Sequence, residues 1–178
     1  TLKRLYITYF NSDKYIWIAQ TGCVKSIIGD KLNINLNQIK IFPIFSIHSK
    51  QNGLTKNKKE FAFFFPSSFE KHKNHNRLIL AFIKAASRVK NEMVLHLTIL
   101  NKDFLKIETP LNLKILFHGT LSEESVSKLY NTSKYTIFPS TAESFGLPLI
   151  EAAKCGCKLI ASDLPYVHEI IKPSLTFD

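Results

Sequence analysis

The hydrophobic positions along the chain fall into short runs, and their rhythm changes near residue 60. Before it, residues 15–21 (Tyr-Ile-Trp-Ile-Ala-Gln-Thr) read as a strand, a short helical stretch runs to about Asp30, and a second strand is expected at about Lys40–Phe45. Ser46–Lys59 then holds Gly53 and four lysines without any apolar period, the mark of a linker or long loop. After it, Phe61–Phe65 is a continuous apolar run, as expected of a strand buried on both faces. Leu78, Ala81, Phe82 and Ala85 recur at i, i+3, i+4 and i+7, one face of a helix. Val94–Leu100 and Leu113–Phe117 read as strands, and Ser122–Tyr130 as a helix with Ser122 capping it ahead of Glu123 and Glu124. Strand Tyr135–Phe138, helix Pro148–Cys155, strand Lys158–Ala161, a short helix Tyr166–Ile171 and a last strand at 174–177 complete the pattern.

Strands alternating with helices across short loops predict an α/β fold, a doubly wound parallel sheet with helices on both faces. It should occupy residues 60–178, with 46–59 as the linker and 1–45 as the tail of a preceding domain. The chain starts at Thr1, has its single methionine at Met93 and stops at Phe177-Asp178 after an apolar run, as a piece of a longer protein would.

At 45% hydrophobic and 12% aromatic residues the chain can bury a core and is not a disordered segment. Its apolar stretches, such as Leu78–Ile83, fall far short of the ~18–20 residues of a membrane span, and no signal peptide opens it. The expectation is a soluble cytoplasmic protein. Cys23, Cys155 and Cys157 are too few for a disulfide framework and lack zinc spacing, so they are read as reduced, buried small residues.

The formal charge is +10, unevenly spread. Lys50–Lys90 holds ten Lys/Arg against Glu60 and Glu70, whereas Glu143, Glu151, Asp163 and Glu169 outweigh Lys154 and Lys158 in Thr141–Ile170. The basic run is either a solvated face or a surface for a polyanion.

Three loops at expected carboxyl ends of strands, where open α/β sheets bind ligands, carry unusual residues. Pro66–Asn74 leads into a helix, whose free N–H groups suit an anion, and Lys73 adds a full charge. Phe138–Ala152 holds Glu143 in the loop, Gly146 where backbone can approach a ligand, Pro148 as a first helical residue and Glu151 just inside the helix. Two carboxylates in one crevice would suit hydroxyl pairs, as on a ribose or sugar ring, better than a phosphate. The third, Phe117-His118-Gly119-Thr120-Leu121, is either a base-pocket wall or a turn. Neither a Gly-rich dinucleotide fingerprint nor a Walker sequence is present, and the five aspartates are isolated, so no Asp-x-Asp offers a metal for a diphosphate.

The stretch Phe138–Glu169 resembles the C-terminal, donor-binding domain of the retaining group-1 (family four) glycosyltransferases of the GT-B fold. Pro139 to Gly156 is similar to the family's two-glutamate motif, with seven residues between Glu143 and Glu151. Ile160–Asp163 followed by Glu169 fits what comes next, His72-Lys73-Asn74 looks like the family's lysine element, and Phe117-His118-Gly119 resembles its central strand. The likeness covers residues 60–178, and residues 1–45 resemble the last strand-helix-strand of the acceptor domain.

The resemblance implies a Rossmann-like sheet and a hexosyltransferase moving sugar from a nucleotide-diphosphate sugar with retention. Glu151 would hold ribose hydroxyls and Glu143 the transferred sugar. Ser144, Phe145, Gly146 and Leu147 would meet sugar or diphosphate, Lys73 would neutralise the diphosphate without a metal or other cofactor, and Gly119, Thr120 and Leu121 would lie near the base. Ser67 and Ser68 stand where the family usually has an arginine, so donor stabilisation would rest more on Lys73, with Lys71 as a substitute. The acceptor would be a saccharide or lipid-linked saccharide in polysaccharide or glycolipid synthesis, at the inner face of an anionic membrane, with the missing N-terminal domain as a partner and no nucleic acid. The rival reading is a non-catalytic module whose basic run binds nucleic acid or an anionic membrane.

Overall fold

Two parallel sheets organise residues 15–42, 60–100 and 108–178, the parts of the chain that the computed structural model describes. The smaller is a strand-helix-strand unit: β1 (Trp17–Ala19), α1 (Gly22–Leu32) and β2 (Ile39–Ile41), with Trp17 to Ala19 paired to Ile39 to Ile41. Thr21 starts the helix by accepting a hydrogen bond from Val24 N at 3.2 Å. Ala19, Ile34 and Ile39 form its core. The first strand is shorter than its apolar run suggested, the second begins one residue before the expected start, and residues 43–45 of that expected strand, with the expected linker 46–59, lie outside the described residues.

The larger sheet has six strands in the order β5-β4-β3-β6-β7-β8, every pairing parallel. They are β3 (Glu60–Phe65), β4 (Met93–Leu97), β5 (Leu113–Phe117), β6 (Ser133–Phe138), β7 (Lys158–Ser162) and β8 (Leu175–Phe177). Between them run α2 (His75–Ala86), α3 (Glu123–Thr132), α4 (Leu147–Lys154) and α5 (Pro165–Ile170). This is the expected doubly wound α/β fold. The chain steps from β3 outward to β5, returns through α3 to the other side of β3, and steps outward again to β8. The carboxyl ends of β3 and β6 therefore lie side by side while their loops leave in opposite directions, which opens a crevice.

Burial follows the predicted rhythm with two corrections. Phe64 and Phe65 are fully buried, but Phe61 at the strand's start is 46% exposed, where it packs edge-on against Phe63 and Tyr135. On α2 the inward stripe is His75, Leu78, Ile79, Phe82 and Ala86, rotated from the expected one because the bulkier Ile79 takes the core in place of Ala81. Ser122 caps α3 as expected, accepting from Ser125 N. Helix α4 begins one residue early, so Pro148 is its second residue, which costs nothing because that N–H also lacks a helical partner. Cys157 is buried, while Cys23 and Cys155 are half-buried.

Right-handed crossovers put α2 on one face of the sheet and the helices joining β6, β7 and β8 on the other. Above β6–β8 on the α2 side lies an apolar hollow of about 720 Å³, lined by Ala81, Phe82, Ala85, Ile137, Leu164 and Phe177 among others. Its surface is mostly apolar, although Asn74, Arg77, Thr141, Ser162, Asp163 and Asp178 also line it.

Phe64 sits where both layers meet, against Tyr130 at 5.0 Å between ring centres. Phe64→Ala should therefore lower stability by about 3–5 kcal/mol in urea denaturation, while Leu80→Ala, at a 65% exposed position, should change it by less than about 0.5 kcal/mol.

Candidate functional site

The loops leaving β3 and β6 are stitched to each other across the crevice. After β3 the chain makes a short turn at Lys71–Lys73 and reverses at Asn74, whose φ of 58° is tolerated because asparagine visits the left-handed region. The Asn74 side-chain amide donates to Pro139 O at 3.0 Å, and Thr141 N donates to His72 O at 2.8 Å. These bonds set Lys73 beside Glu143: Nζ lies 2.6 Å from Oε1, with the side chains only 15% and 11% exposed. Of the lysines and arginines in the described part of the basic run, Lys71, Arg77, Lys84, Arg88 and Lys90 are exposed, and Lys73 is the one that turns inward. Tyr166 from α5 closes the back of the crevice, its hydroxyl donating to Ser140 O at 2.8 Å; burial, and secondarily the Glu143 carboxylate, push its phenol up.

Beyond Glu143 the chain turns into α4 through Gly146, at φ +66°, where an added Cβ would lie 3.2 Å from both Ile170 and Leu149 side chains. Glycine is thus required for conformation and for space. Phe145 anchors the turn in the core at 7% exposure. A pocket of about 230 Å³ opens here, lined by Glu143, Ser144, Phe145, Gly146, Leu147, Pro148 and, from the smaller sheet's side, Gln20. Glu151 is one turn further along, exposed and outside this lining. It accepts a 3.1 Å hydrogen bond from the hydroxyl of Tyr130, whose phenol is pushed up by burial and then by Glu151 itself.

The third loop is tied to its neighbour, since His118 N donates to Leu97 O and Gly119 N to Ile99 O. Gly119 also has φ +66°, with the Leu100 side chain 3.0 Å from a built Cβ. Thr120 is exposed and Leu121 half-buried. Beside it, His96 Nδ1 and His118 Nε2 are 2.9 Å apart with rings nearly parallel at 11°. One ring must donate and the other accept, so the contact needs at least one neutral imidazole. Burial first, then His118 and Lys114, lower the His96 pKa to about 4, and burial lowers that of His118.

Ser67 is fixed by a reciprocal pair with Thr98, its N–H donating to Oγ1 and its carbonyl accepting from that hydroxyl. Ser68 Oγ donates to Glu70. His72 reaches Glu70 at 3.5 Å, whereas His75 packs on Phe65. Among the described residues no three His, Cys, Asp or Glu side chains cluster as a metal site would require. The structure thus brings Lys73 and Glu143 into contact, gathers residues 143–147 around one pocket and leaves Glu151 outside its lining. Sequence reasoning named Asn74 only as a member of the His72-Lys73-Asn74 element and missed Tyr130 and Gln20, for which no local signal stands in the sequence.

The model of the family "Glycosyl transferases group 1" matches residues 46–176. The O-antigen chain mannosyltransferase RfbU of Salmonella typhimurium is 27% identical over 154 residues, 83% of this chain and 42% of that protein. The serotype-specific mannosyltransferase WbdA of Escherichia coli is 38% identical over 58 residues, 33% of this chain and 7% of that one. The chain thus spans less than half of either relative. Among solved structures, TarM superposes with a TM-score of 0.75 at 15% identity, over 100% of this chain and 36% of that one. Anabaena HepE, in complex with UDP and glucose, gives 0.69 at 16% identity, over 97% and 52%. At such identities the structures establish the shared fold.

The histidine pair predicts an acid sensitivity. The folded-state pKa of His96 lies below the ordinary 6.5, so the unfolded chain binds the proton first, and stability present above pH 6.5 should be lost as pH falls toward about 4. The urea midpoint of wild type should fall relative to that of His96→Asn as pH is lowered from about 7 to about 4.5. A constant difference between them would contradict the assignment.

Proposed function

Because the chain belongs to the group-1 glycosyl transferases, with the GT-B fold, we propose that it is the donor-binding half of an enzyme that moves a hexosyl group from a nucleotide-diphosphate sugar to a saccharide or lipid-linked saccharide, with retention at the anomeric carbon. The observation that carries this reading is the Lys73–Glu143 contact at 2.6 Å where the strand order reverses. A cation and an anion held together there can part toward a donor's two charge-distinct ends, the lysine to the diphosphate and the glutamate to sugar hydroxyls.

In this reading Glu151, oriented by Tyr130, accepts hydrogen bonds from the ribose diol. The backbone around Ser144, Phe145, Gly146 and Leu147 approaches the sugar or diphosphate, with Ser67 and Ser68 flanking it, and Gly119, Thr120 and Leu121 border the base. The anomeric carbon exchanges its bond to the diphosphate oxygen for one to an acceptor hydroxyl oxygen. The acceptor's proton leaves with the diphosphate, and Lys73 stabilises the charge that develops on the departing oxygen. That ammonium does the work a metal does elsewhere, so the reading needs none.

Exposed Ile18 and Ile41 on the smaller sheet, with Ile16 and Phe42 flanking its strands, support a second half packing there and supplying the acceptor side. The names of RfbU and WbdA favour a mannose donor and surface-polysaccharide synthesis. No helix among the described residues is long and apolar enough to cross a membrane, and the reading is of a cytoplasmic enzyme acting at the inner membrane face. A polyanion-binding module is less favoured, because the group-1 family model spans residues 46–176 and the relatives are glycosyl-transferring enzymes by name.

Calorimetry with GDP, UDP and random DNA, in EDTA, on wild type, Glu151→Gln and Lys73→Ala tests this. Wild type should bind a nucleoside diphosphate despite the chelator. Loss of a charge-assisted hydrogen bond should weaken it about ten- to a hundred-fold in Glu151→Gln, and Lys73→Ala should weaken it too. Nucleotide binding unchanged by Glu151→Gln, or DNA binding alone, would overturn the proposal.

A further inference from the structure

Gln20 stands opposite the Glu143–Pro148 turn, on the far wall of the 230 Å³ pocket. It directly follows β1 and precedes the Thr21 cap of α1. Its carboxamide makes no hydrogen bond among the described residues, although the residues on either side of it are held firmly. Ala19 O accepts from Phe42 N at 2.8 Å and Thr21 O from Lys25 N at 3.0 Å. Thr21 is 6% exposed. The next two N–H groups, free at any helix start, go to one carboxylate: Glu169 accepts from Gly22 N at 2.7 Å and from Cys23 N at 3.0 Å. An added Cβ at residue 22 would lie 3.2 Å from a Glu169 oxygen, a tight contact that a small shift of the carboxylate would relieve. The same carboxylate raises the Cys23 thiol pKa to about 11.

We infer that Gln20 is a specificity-determining contact to the transferred sugar, and that Glu169 is the positioning residue that sets it there. The inference rests on the glycosyl-transfer reading above and adds to it a residue from outside the six-stranded sheet. An amide that donates and accepts from one side chain suits a sugar hydroxyl, which also does both. The facing wall offers the Glu143 carboxylate and the backbone of residues 144–147, so a sugar ring between them is read from two sides. The α5 helix carries Glu169 and α1 receives it, so the clamp fixes the distance between the walls and with it the size of ring admitted.

The test compares each nucleotide sugar with its own nucleoside diphosphate, GDP-mannose against GDP and UDP-glucose against UDP, by calorimetry on the whole chain. In wild type one sugar nucleotide should bind more tightly than its diphosphate. Gln20→Ala should weaken that sugar nucleotide about three- to tenfold, the loss of one hydrogen bond, and leave the diphosphate unchanged. Glu169→Ala should show the same split, and amide hydrogen exchange at Gly22 and Cys23 should speed up. A purely structural role for Glu169 would weaken both ligands together and would overturn its assignment. Equal affinity of wild type and Gln20→Ala for the sugar nucleotide, with diphosphate binding intact, would overturn the role of Gln20 while sparing the wider reading. Failure of wild type to bind any of the four nucleotides would sink that reading and this inference with it.

Discussion

Lys73 and Glu143 constrain each other, and the site is built around that constraint. At 2.6 Å and mostly shielded from water, neither charge could keep its place without the other, because a partly dehydrated ion left unpaired is strongly disfavoured. The pair therefore fixes the separation of the loops that leave β3 and β6. Asn74 on Pro139 and Thr141 on His72 repeat the same tie with uncharged groups. This redundancy means the crevice has its shape before any ligand arrives, so little ordering remains to be done on binding. Among the described residues, the exposed lysines and arginines nearby have no such partner across the crevice and contribute mainly a positive field.

Around this pair the remaining polar groups fall into a sequence along the crevice. Glu151, with Tyr130 behind it, lies at one edge; the backbone turn at Gly146 lies in the middle; Gln20 faces that turn from the smaller sheet. Each is attached to a different structural element, yet each is anchored by buried neighbours: Tyr130 and Phe145 in the core, Thr21 beside Gln20. Rigid supports under exposed polar groups are what a binding site needs, since affinity falls when the groups must be ordered on contact.

Much of this was legible in the sequence, for identifiable reasons. Strand and helix order follows from local periodicity, and Phe61–Phe65 or Leu113–Phe117 announce themselves without neighbours. Lys73 and Glu143 were legible as members of loops at strand ends, and their contact follows from the strand order. What local pattern could not supply was the choice among similar side chains. The inward face of α2 was misassigned because Ala81 and Ile79 both fit a helical period, and only the neighbouring strands favour the larger one. Phe61 belongs to an apolar run but sits at the uncovered end of its strand. The Glu169 clamp joins residues 147 apart in the chain, and Gln20 gains its meaning only from that contact. Such pairings depend on tertiary placement, which no window of sequence contains.

The central claim is that the paired charges separate toward the two ends of one donor molecule. A crystal structure of the chain soaked with GDP-mannose or UDP-glucose would test it most directly. The account predicts Lys73 Nζ about 2.7–2.9 Å from a diphosphate oxygen, the distance of a charge-assisted hydrogen bond, with Glu143 turned to a sugar hydroxyl and Glu151 on the ribose. A nucleotide lodged in the apolar hollow or on the exposed lysines of α2, with the Lys73–Glu143 contact undisturbed, would contradict it.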